Sequence, residues 1–101
     1  MDPSPDPVVA DHREQITAID RAIVDAVNRR IEVVASLHAH KRARGYATLD
    51  PERERALVEA LQAQNRGPLS DEGLARLYGL LLELCTLEAA RLAAPQQAGP
   101  A

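Results

Sequence analysis

The chain has 101 residues, a formal net charge of −3 at pH 7, 46 % hydrophobic residues and 27 % charged residues, a composition typical of one soluble globular domain. It lacks the basic surplus of a nucleic-acid-binding protein, and no apolar run is long enough to cross a membrane. Because it has two tyrosines and no phenylalanine or tryptophan, its core must be aliphatic, and this small core favours a dimer.

The two ends of the chain differ in composition from the middle. Residues 1–9 are acidic and proline-rich, so we expect a disordered N-terminal arm and no signal peptide. Residues 10–93 are predicted to form one helical domain, and residues 94–101 a flexible tail of Pro, Gln, Gly and Ala. Cys85 is the single cysteine, so no disulfide framework is expected, and we predict a cytoplasmic protein.

A long first helix dominates the pattern. It is predicted to begin near Asp11, and no glycine or proline follows until Gly45. At a rise of about 1.5 Å per residue, roughly 33 residues span about 50 Å, more than a compact domain of this size needs. Part of this helix should therefore lie against another chain.

Two shorter helices follow, and no segment has the period of a strand. Asp50 is a good N-cap and Pro51 a good first helical residue, so the second helix should start there and end near Gln64. Ser70 is predicted to cap a leucine-rich third helix that ends near Ala93.

The first helix carries cations on its apolar face. Numbering by sevens places Arg30 in one column with Ile23 and Leu37. Arg13 and Lys41 lie in the neighbouring column. Because arginine and lysine are rarely buried without a partner, these side chains need either internal carboxylates or an anion supplied from outside. The alternative interpretation of each cation is structural. Its charged group either forms a salt bridge or reaches solvent at the end of a side chain whose apolar part is buried.

The spacing of these cations suggests a site shared between two chains. Arg30 and Lys41 are about 16 Å apart along the helix, close enough for two long side chains to hold one small anion. Arg13 is roughly 25 Å from Arg30, too far to serve the same site within one helix. Two antiparallel copies would bring Arg13 of one chain near Arg30 and Lys41 of the other, which gives two equivalent sites.

A second charged group lies at the start of the second helix. Asp50 is explained by N-capping alone, and Arg53 and Glu54 are also typical of a solvated helix face. They become candidate binding residues only if the start of the second helix lies close to the cations of the first helix.

Other kinds of site are not indicated. There is no glycine-rich phosphate loop, and the histidines have no metal-site spacing. His38 and His40 flank the apolar face and are expected in solvent. Cys85 is predicted to be a small core residue rather than a nucleophile.

Taken together, these residues resemble the all-helical (type II) chorismate mutases over about residues 10–92. The matching segments, at the family's spacing, are Arg13-Glu14-x-Ile16-x-x-Ile19-Asp20, Arg29-Arg30, Lys41 and Asp50-Pro51-Glu52-Arg53-Glu54-Arg55. The resemblance implies an all-α, three-helix chain that forms an intertwined homodimer through its long first helices. It also implies a Claisen-type rearrangement of chorismate to prephenate, in aromatic amino-acid or related secondary metabolism, with no metal or cofactor.

The resemblance also implies roles for individual residues toward this dicarboxylate substrate. Arg13 of the partner chain and Arg30 would clamp the carboxylates. Lys41 would donate to the ether oxygen, where negative charge develops in the transition state. Glu54 would accept a hydrogen bond from the ring hydroxyl, supported by Asp50. The substrate-binding positions so implied are Arg13, Arg30, Lys41, Asp50, Arg53, Glu54, Cys85, Glu88 and Ala89, with Lys41, Arg30 and Glu54 as catalytic residues.

The third helix departs from the family pattern. The family has a small polar residue and, four positions later, a glutamine or glutamate that also bonds the ether oxygen; the gapless register puts Cys85 and Ala89 there. Glu88 is adjacent, about 100° around the helix. Either Glu88 faces the pocket, which would require a protonated carboxyl with a raised pKa, or the second donor is missing.

Three alternatives therefore stay open. The 4-amino-4-deoxychorismate mutases of antibiotic pathways share the scaffold, and Cys85-Thr86-Leu87-Glu88 is similar to a Cys-x-x-Glu arrangement in their third helix. Isochorismate-pyruvate lyases share the fold, but the group at Asp50, Arg53 and Glu54 is mutase-like. A non-catalytic or weakly active mutase-like dimeric module would need only the leucine-rich faces.

Overall fold

The computed structural model of the protein describes residues 6–93. Three α-helices follow one another: α1 at Pro7–Arg44, α2 at Pro51–Gln64 and α3 at Asp71–Ala93. The described residues contain no strand. The all-α class and the order of the helices are thus confirmed. Residues 1–5 of the predicted arm, and the predicted tail at 94–101, lie outside the described residues.

The first helix begins earlier than predicted, at Pro7 instead of near Asp11. Asp6 provides the start, since its side chain accepts a hydrogen bond from the Val8 N–H at 2.9 Å and its carbonyl accepts one from the Ala10 N–H at 3.1 Å. Proline fits the first helical turn because its missing N–H has no partner there. The sequence prediction treated Pro7 only as a breaker, so it assigned residues 7–9 to a disordered arm, whereas they are helical.

The first helix ends at a glycine, as predicted. Gly45 has φ 74° and its N–H donates to the Arg42 carbonyl at 3.2 Å. The next N–H, of Tyr46, donates to the Lys41 carbonyl at 2.8 Å. These two bonds are the Schellman pattern that satisfies the last carbonyls of a helix. The turn just before the glycine carries the cations Lys41, Arg42 and Arg44, which the negative end of the helix dipole favours.

The two shorter helices begin at the predicted caps. The Asp50 carboxylate accepts a hydrogen bond from the Arg53 N–H at 3.1 Å, and Pro51 opens α2. The Ser70 hydroxyl accepts one from the Gly73 N–H at 2.9 Å at the start of α3. Both caps satisfy backbone donors that a helix start leaves without partners.

The chain divides into two compact units between Arg30 and Ile31. In the second unit, α2 packs on α3, and the buried hydrophobic residues are Leu74, Cys85 and Ala89, all on α3. α1 and α2 contain no fully buried residue. The single chain therefore buries a small core, as the composition predicts. Among the described residues, no helix is both long enough and apolar enough to cross a bilayer.

The first unit exposes a stripe of isoleucines on α1. Ile16, Ile19 and Ile23 keep 56, 57 and 53 % of their surface exposed. Their spacing of three and four residues places them on one face of the helix. A contiguous apolar stripe of this kind is typical of a surface that buries against another chain. The partner chain itself stays a prediction.

The cap at Gly45 can be tested by a pair of glycine substitutions. At Gly45 an added Cβ meets nothing within 4 Å, so Gly45→Ala should cost only the strain of its positive φ, about 1–2 kcal/mol of the free energy of unfolding. Gly79→Ala is the matched control, because its Cβ also meets nothing within 4 Å but the residue lies inside α3. It should raise the free energy of unfolding by roughly 0.5–1 kcal/mol.

Both variants are measured by denaturant unfolding at one fixed protein concentration. An unchanged or higher free energy of unfolding in Gly45→Ala would contradict a left-handed cap at Gly45.

Candidate active site

Most charged side chains in residues 6–93 are exposed. The half-buried charged residues among Asp, Glu, Lys and Arg are Arg30, Lys41, Glu54 and Glu88. Glu88 has an internal partner, since it accepts from Arg91 Nη2 at 2.8 Å and from Arg91 Nε at 2.9 Å. Within the described part of the chain, the other three make no side-chain hydrogen bond or ion pair. A half-buried charge without a partner is costly, so these positions suit an external ligand of opposite charge.

Lys41 lies in the last turn of α1, and the helix cap fixes its backbone. Its carbonyl accepts the Tyr46 N–H of the Schellman pattern, while its side chain is half-buried. The neighbouring cations Arg42 and Arg44 are exposed. Of the cations in this turn, Lys41 is thus the half-buried residue.

The group predicted at the start of α2 lies within one helical turn. Asp50 is exposed and acts as the N-cap, as its sequence position predicts. Arg53 is exposed and Glu54 is half-buried. The structure therefore distinguishes Glu54 from Asp50 and Arg53 as the half-buried residue of this group.

On α3, the inward positions are Cys85 and Ala89. Cys85 is 1 % exposed and Ala89 is 2 % exposed, one turn apart on the same face. Cys85 is thus a small core residue, as expected. Glu88 lies at the edge of this face and is held by Arg91. Of the two arrangements left open by the sequence, the geometry favours the one in which Ala89, and not Glu88, faces inward.

His38 was expected in solvent, and that prediction was wrong, because the side chain is half-buried. It continues a stripe of half-buried residues on α1, which comprises Ile31, Val34, Ala35, His38 and Lys41. The heptad numbering used in the sequence analysis placed Leu37 on the apolar face of α1, but Leu37 is 48 % exposed. The three- and four-residue spacing from Ile31 through Val34 to His38 is the signal that could have identified it.

The surroundings of His38 lower its pKa below the ordinary 6.5, first because burial disfavours the charged imidazolium and then because Lys41 and Arg42 repel it. The carboxylate of Glu54 acts in the opposite direction and raises the pKa. Lys41 and Glu54 therefore both lie within electrostatic reach of this imidazole. His40, by contrast, is exposed and meets Tyr46 edge to face, with ring centroids 6.5 Å apart.

The remaining predicted residues belong to the first unit. Arg13 is exposed and Arg30 is half-buried. Their roles toward the residues of α2 and α3 stay predictions.

One groove in the second unit is distinct from all of these residues. It has a volume of about 340 Å³ and lies where the end of α2 meets the start of α3, between Leu61 and Tyr78. Its lining contains leucines, a tyrosine and two amides but no charged side chain. It is therefore unsuited to a dicarboxylate.

Over residues 6–93 the protein is all-α, and its half-buried Arg30, Lys41 and Glu54 form no ion pair there, which are the features of a helical domain that binds a small anionic molecule. The family model described as chorismate mutase type II matches residues 12–89, and the chain belongs to that family. This confirms the resemblance seen in the sequence.

Among curated proteins, the chain is similar to the bifunctional chorismate mutase/prephenate dehydratase of Neisseria gonorrhoeae, with 36 % identity over 81 residues. The aligned region covers 79 % of this chain and 22 % of that protein, so the chain spans about a fifth of its relative's length. No solved structure matches the chain.

The rotation of α3 can be tested by cysteine labelling. In a Cys85→Ala background, Ala89→Cys should be protected from a thiol reagent, because position 89 is 2 % exposed. Glu88→Cys in the same background should react faster by more than about tenfold, since a buried thiol reacts only when the helix opens locally. Both proteins should reach the same labelling in denaturant. Faster labelling at position 89 than at position 88 would mean that the helix is rotated and that Glu88 faces inward.

Proposed function

We propose that the chain is a chorismate mutase, an isomerase that rearranges chorismate to prephenate. The observation that carries this proposal is that Lys41 and Glu54, in a chain of the chorismate mutase type II family, are both half-buried in the second unit and form no ion pair among residues 6–93. The name of the relative from Neisseria gonorrhoeae includes the same activity and supports the proposal.

The reaction needs geometry and electrostatics but no covalent help from the protein. Within one molecule the ether C–O bond breaks while a C–C bond forms between the enolpyruvyl carbon and the ring, and no proton or electron is exchanged. As the C–O bond breaks, negative charge develops on the ether oxygen. A fixed ammonium therefore stabilises the transition state more than the ground state, and we assign this role to Lys41.

Cations that bind the two substrate carboxylates would hold the substrate in its reactive conformer. Arg30 is half-buried, and we assign it to one carboxylate in its own chain. Arg13 is assigned to the other carboxylate from a partner chain in a two-fold homodimer. The exposed stripe of Ile16, Ile19 and Ile23 supports such a dimer, because pairing of the first helices would bury it.

The α2 residues would hold the ring end of the substrate. Glu54 would accept a hydrogen bond from the ring hydroxyl. Asp50 would support it through the helix start that it caps, and Arg53 would lie over the carboxylate end. On α3, the inward Cys85 and Ala89 would contribute shape rather than a donor. Lys41 then carries the stabilisation of the ether oxygen that an amide at position 89 would otherwise share.

A second candidate substrate is 4-amino-4-deoxychorismate. The observation that favours it is Glu54, a half-buried residue whose carboxylate has no ion pair in the part of the chain that the structure describes. A substrate ammonium would neutralise this carboxylate, whereas a hydroxyl gives it only a hydrogen bond. Glu88 is already paired with Arg91 and is not needed for this recognition.

Both candidates are separated by one assay in which the purified protein is incubated with chorismate, 4-amino-4-deoxychorismate or isochorismate. Prephenate from chorismate is the expected product. Turnover of the amino substrate alone would transfer the proposal to that substrate, and release of pyruvate from isochorismate would indicate a lyase. Failure to convert any of them would leave a non-catalytic helical module.

Lys41→Ala should lower kcat by about 10²–10³-fold, the usual loss for one positioned transition-state donor. Arg44→Ala is the matched control, since it removes the same charge from an exposed position in the same turn, and it should keep nearly full activity. Lys41→Arg should recover only part of the loss because its planar fork is longer and differently aimed. Equal activity of Lys41→Ala and Arg44→Ala would exclude the mechanism proposed here.

Mixing two inactive variants tests the shared site. If Arg13 acts across the interface, a heterodimer of Arg13→Ala and Lys41→Ala has one site with both residues intact and one site with neither. After the chains are unfolded and refolded together in equal amounts, activity should return to about a quarter of the wild-type value.

Refolding each variant alone is the control. No recovery in the mixture, although heterodimers are present by mass spectrometry, would place Arg13 and Lys41 in the same chain's site. Full activity of Arg13→Ala refolded alone would remove Arg13 from the site.

A further inference from the structure

An ion pair on α3 has no part in the roles proposed above. Arg91 Nη2 lies 2.8 Å from Glu88 Oε1, and Arg91 Nε donates to the same oxygen at 2.9 Å. The Glu88 side chain keeps 35 % of its surface exposed and the Arg91 side chain 76 %. Of the charged residues of α3, Glu88 is half-buried and the others are exposed. Arg91 therefore neutralises the half-buried carboxylate of this helix through two charge-assisted contacts.

An ion pair with the same spacing on α2 provides a comparison. Glu52 and Arg55 are also three residues apart, but the distance from Arg55 Nη1 to Glu52 Oε2 is 4.0 Å, and the side chains are 85 % and 66 % exposed. Pairs of this kind are common on helix surfaces and contribute little to stability, because solvent screens them. The pair on α3 differs in its short contacts and in the burial of its carboxylate.

Glu88 lies at the border of the inward face of α3. It follows Cys85 by three residues and directly precedes Ala89, and these two neighbours are 1 % and 2 % exposed. In the proposed function this face contributes to the site of a dicarboxylate. A carboxylate at its border would repel such a substrate unless a cation neutralised it.

We propose that Arg91 is a positioning residue for substrate binding: its ion pair holds the Glu88 carboxylate at the border of the inward face and cancels its charge, so that this face accepts an anionic substrate. The inference rests on the proposed function, since it requires a substrate with carboxylates beside α3. Arg91 acts through Glu88 and is assigned no contact with the reacting atoms.

The proposal determines which kinetic constant changes. The substrate carries its carboxylates in the ground state and in the transition state, so an unneutralised Glu88 weakens the binding of both alike. Loss of Arg91 should therefore raise KM and leave kcat nearly unchanged. Salt should reduce the rise in KM, because the screening length falls from about 10 Å at 0.1 M to about 3 Å at 1 M.

The test measures kcat and KM of Arg91→Gln with the substrate that the wild type converts. Its KM should be about two- to fivefold that of the wild type at low salt, the effect of one partly exposed charge. Arg91→Lys, which keeps the charge, should recover most of the affinity. Arg55→Gln is the matched control, since it removes the same charge from the exposed pair on α2 and should keep the wild-type KM.

The same substitution in a Glu88→Gln background separates this role from a structural one. Without the carboxylate there is no charge for Arg91 to neutralise, so Glu88→Gln with Arg91→Gln should have the KM of Glu88→Gln alone. An arginine that only stabilised the end of α3 through the helix dipole would have the same effect in both backgrounds.

A wild-type KM in Arg91→Gln, or an equal rise in KM in both backgrounds, would overturn the role of Arg91 and leave the proposed function standing. A wild-type protein that converts none of the three substrates would overturn the proposed function and this inference with it.

Discussion

The proposed function depends most on Lys41, a half-buried lysine in the last turn of a helix that has no ion pair with a carboxylate among residues 6–93. Folding alone gives no reason for this arrangement, since an aliphatic side chain would avoid the cost of desolvating an ammonium. The same holds for Glu54. Glu88 shows the contrast, because that half-buried carboxylate is paired with Arg91. A half-buried charged residue without an ion-pair partner is explained if a bound ligand supplies the opposite charge. The functional proposal therefore rests on Lys41 and Glu54.

The backbone around these two side chains is fixed by local hydrogen bonds rather than by a large core. Lys41 precedes the glycine cap of α1, and Glu54 follows the aspartate cap of α2; its N–H donates to the Asp50 carbonyl at 3.1 Å. The two caps thus limit the motion of both helix ends next to the connection between them. A site built on helix termini in this way is held in place even though the single chain buries few residues.

The sequence predicts those parts of the fold that local chemistry determines. The ends of α1, α2 and α3 follow from Gly45, Asp50 and Ser70, each of which has a role that depends only on its neighbours. The start of α1 was missed because proline can either open a helix or break one, and Asp6 decides which. His38 was missed for a different reason. A straight helix drifts about 20° per heptad, so a face defined by sevens turns away from the buried side over a helix as long as α1.

The site is predictable from sequence only in part. Arg30, Lys41 and Glu54 were chosen from their charge and spacing together with a family resemblance, and half-burial distinguishes these three from exposed neighbours such as Arg53. Which residue of α3 faces inward could not be decided from spacing, because Glu88 and Ala89 differ by one step around the helix and only packing separates them. The role proposed for Arg13 requires a second chain, so it rests on the sequence and the family resemblance.

The inward face of α3 clarifies how a chorismate mutase can function with alanine at position 89. A pericyclic rearrangement needs no bond from the protein, so a missing donor weakens transition-state stabilisation without removing a chemical step. Cys85 and Ala89 make this face apolar and nearly inaccessible to water. In the proposed mechanism Lys41 would then be the cationic donor left for the ether oxygen, and it is a half-buried residue with no ion pair among residues 6–93.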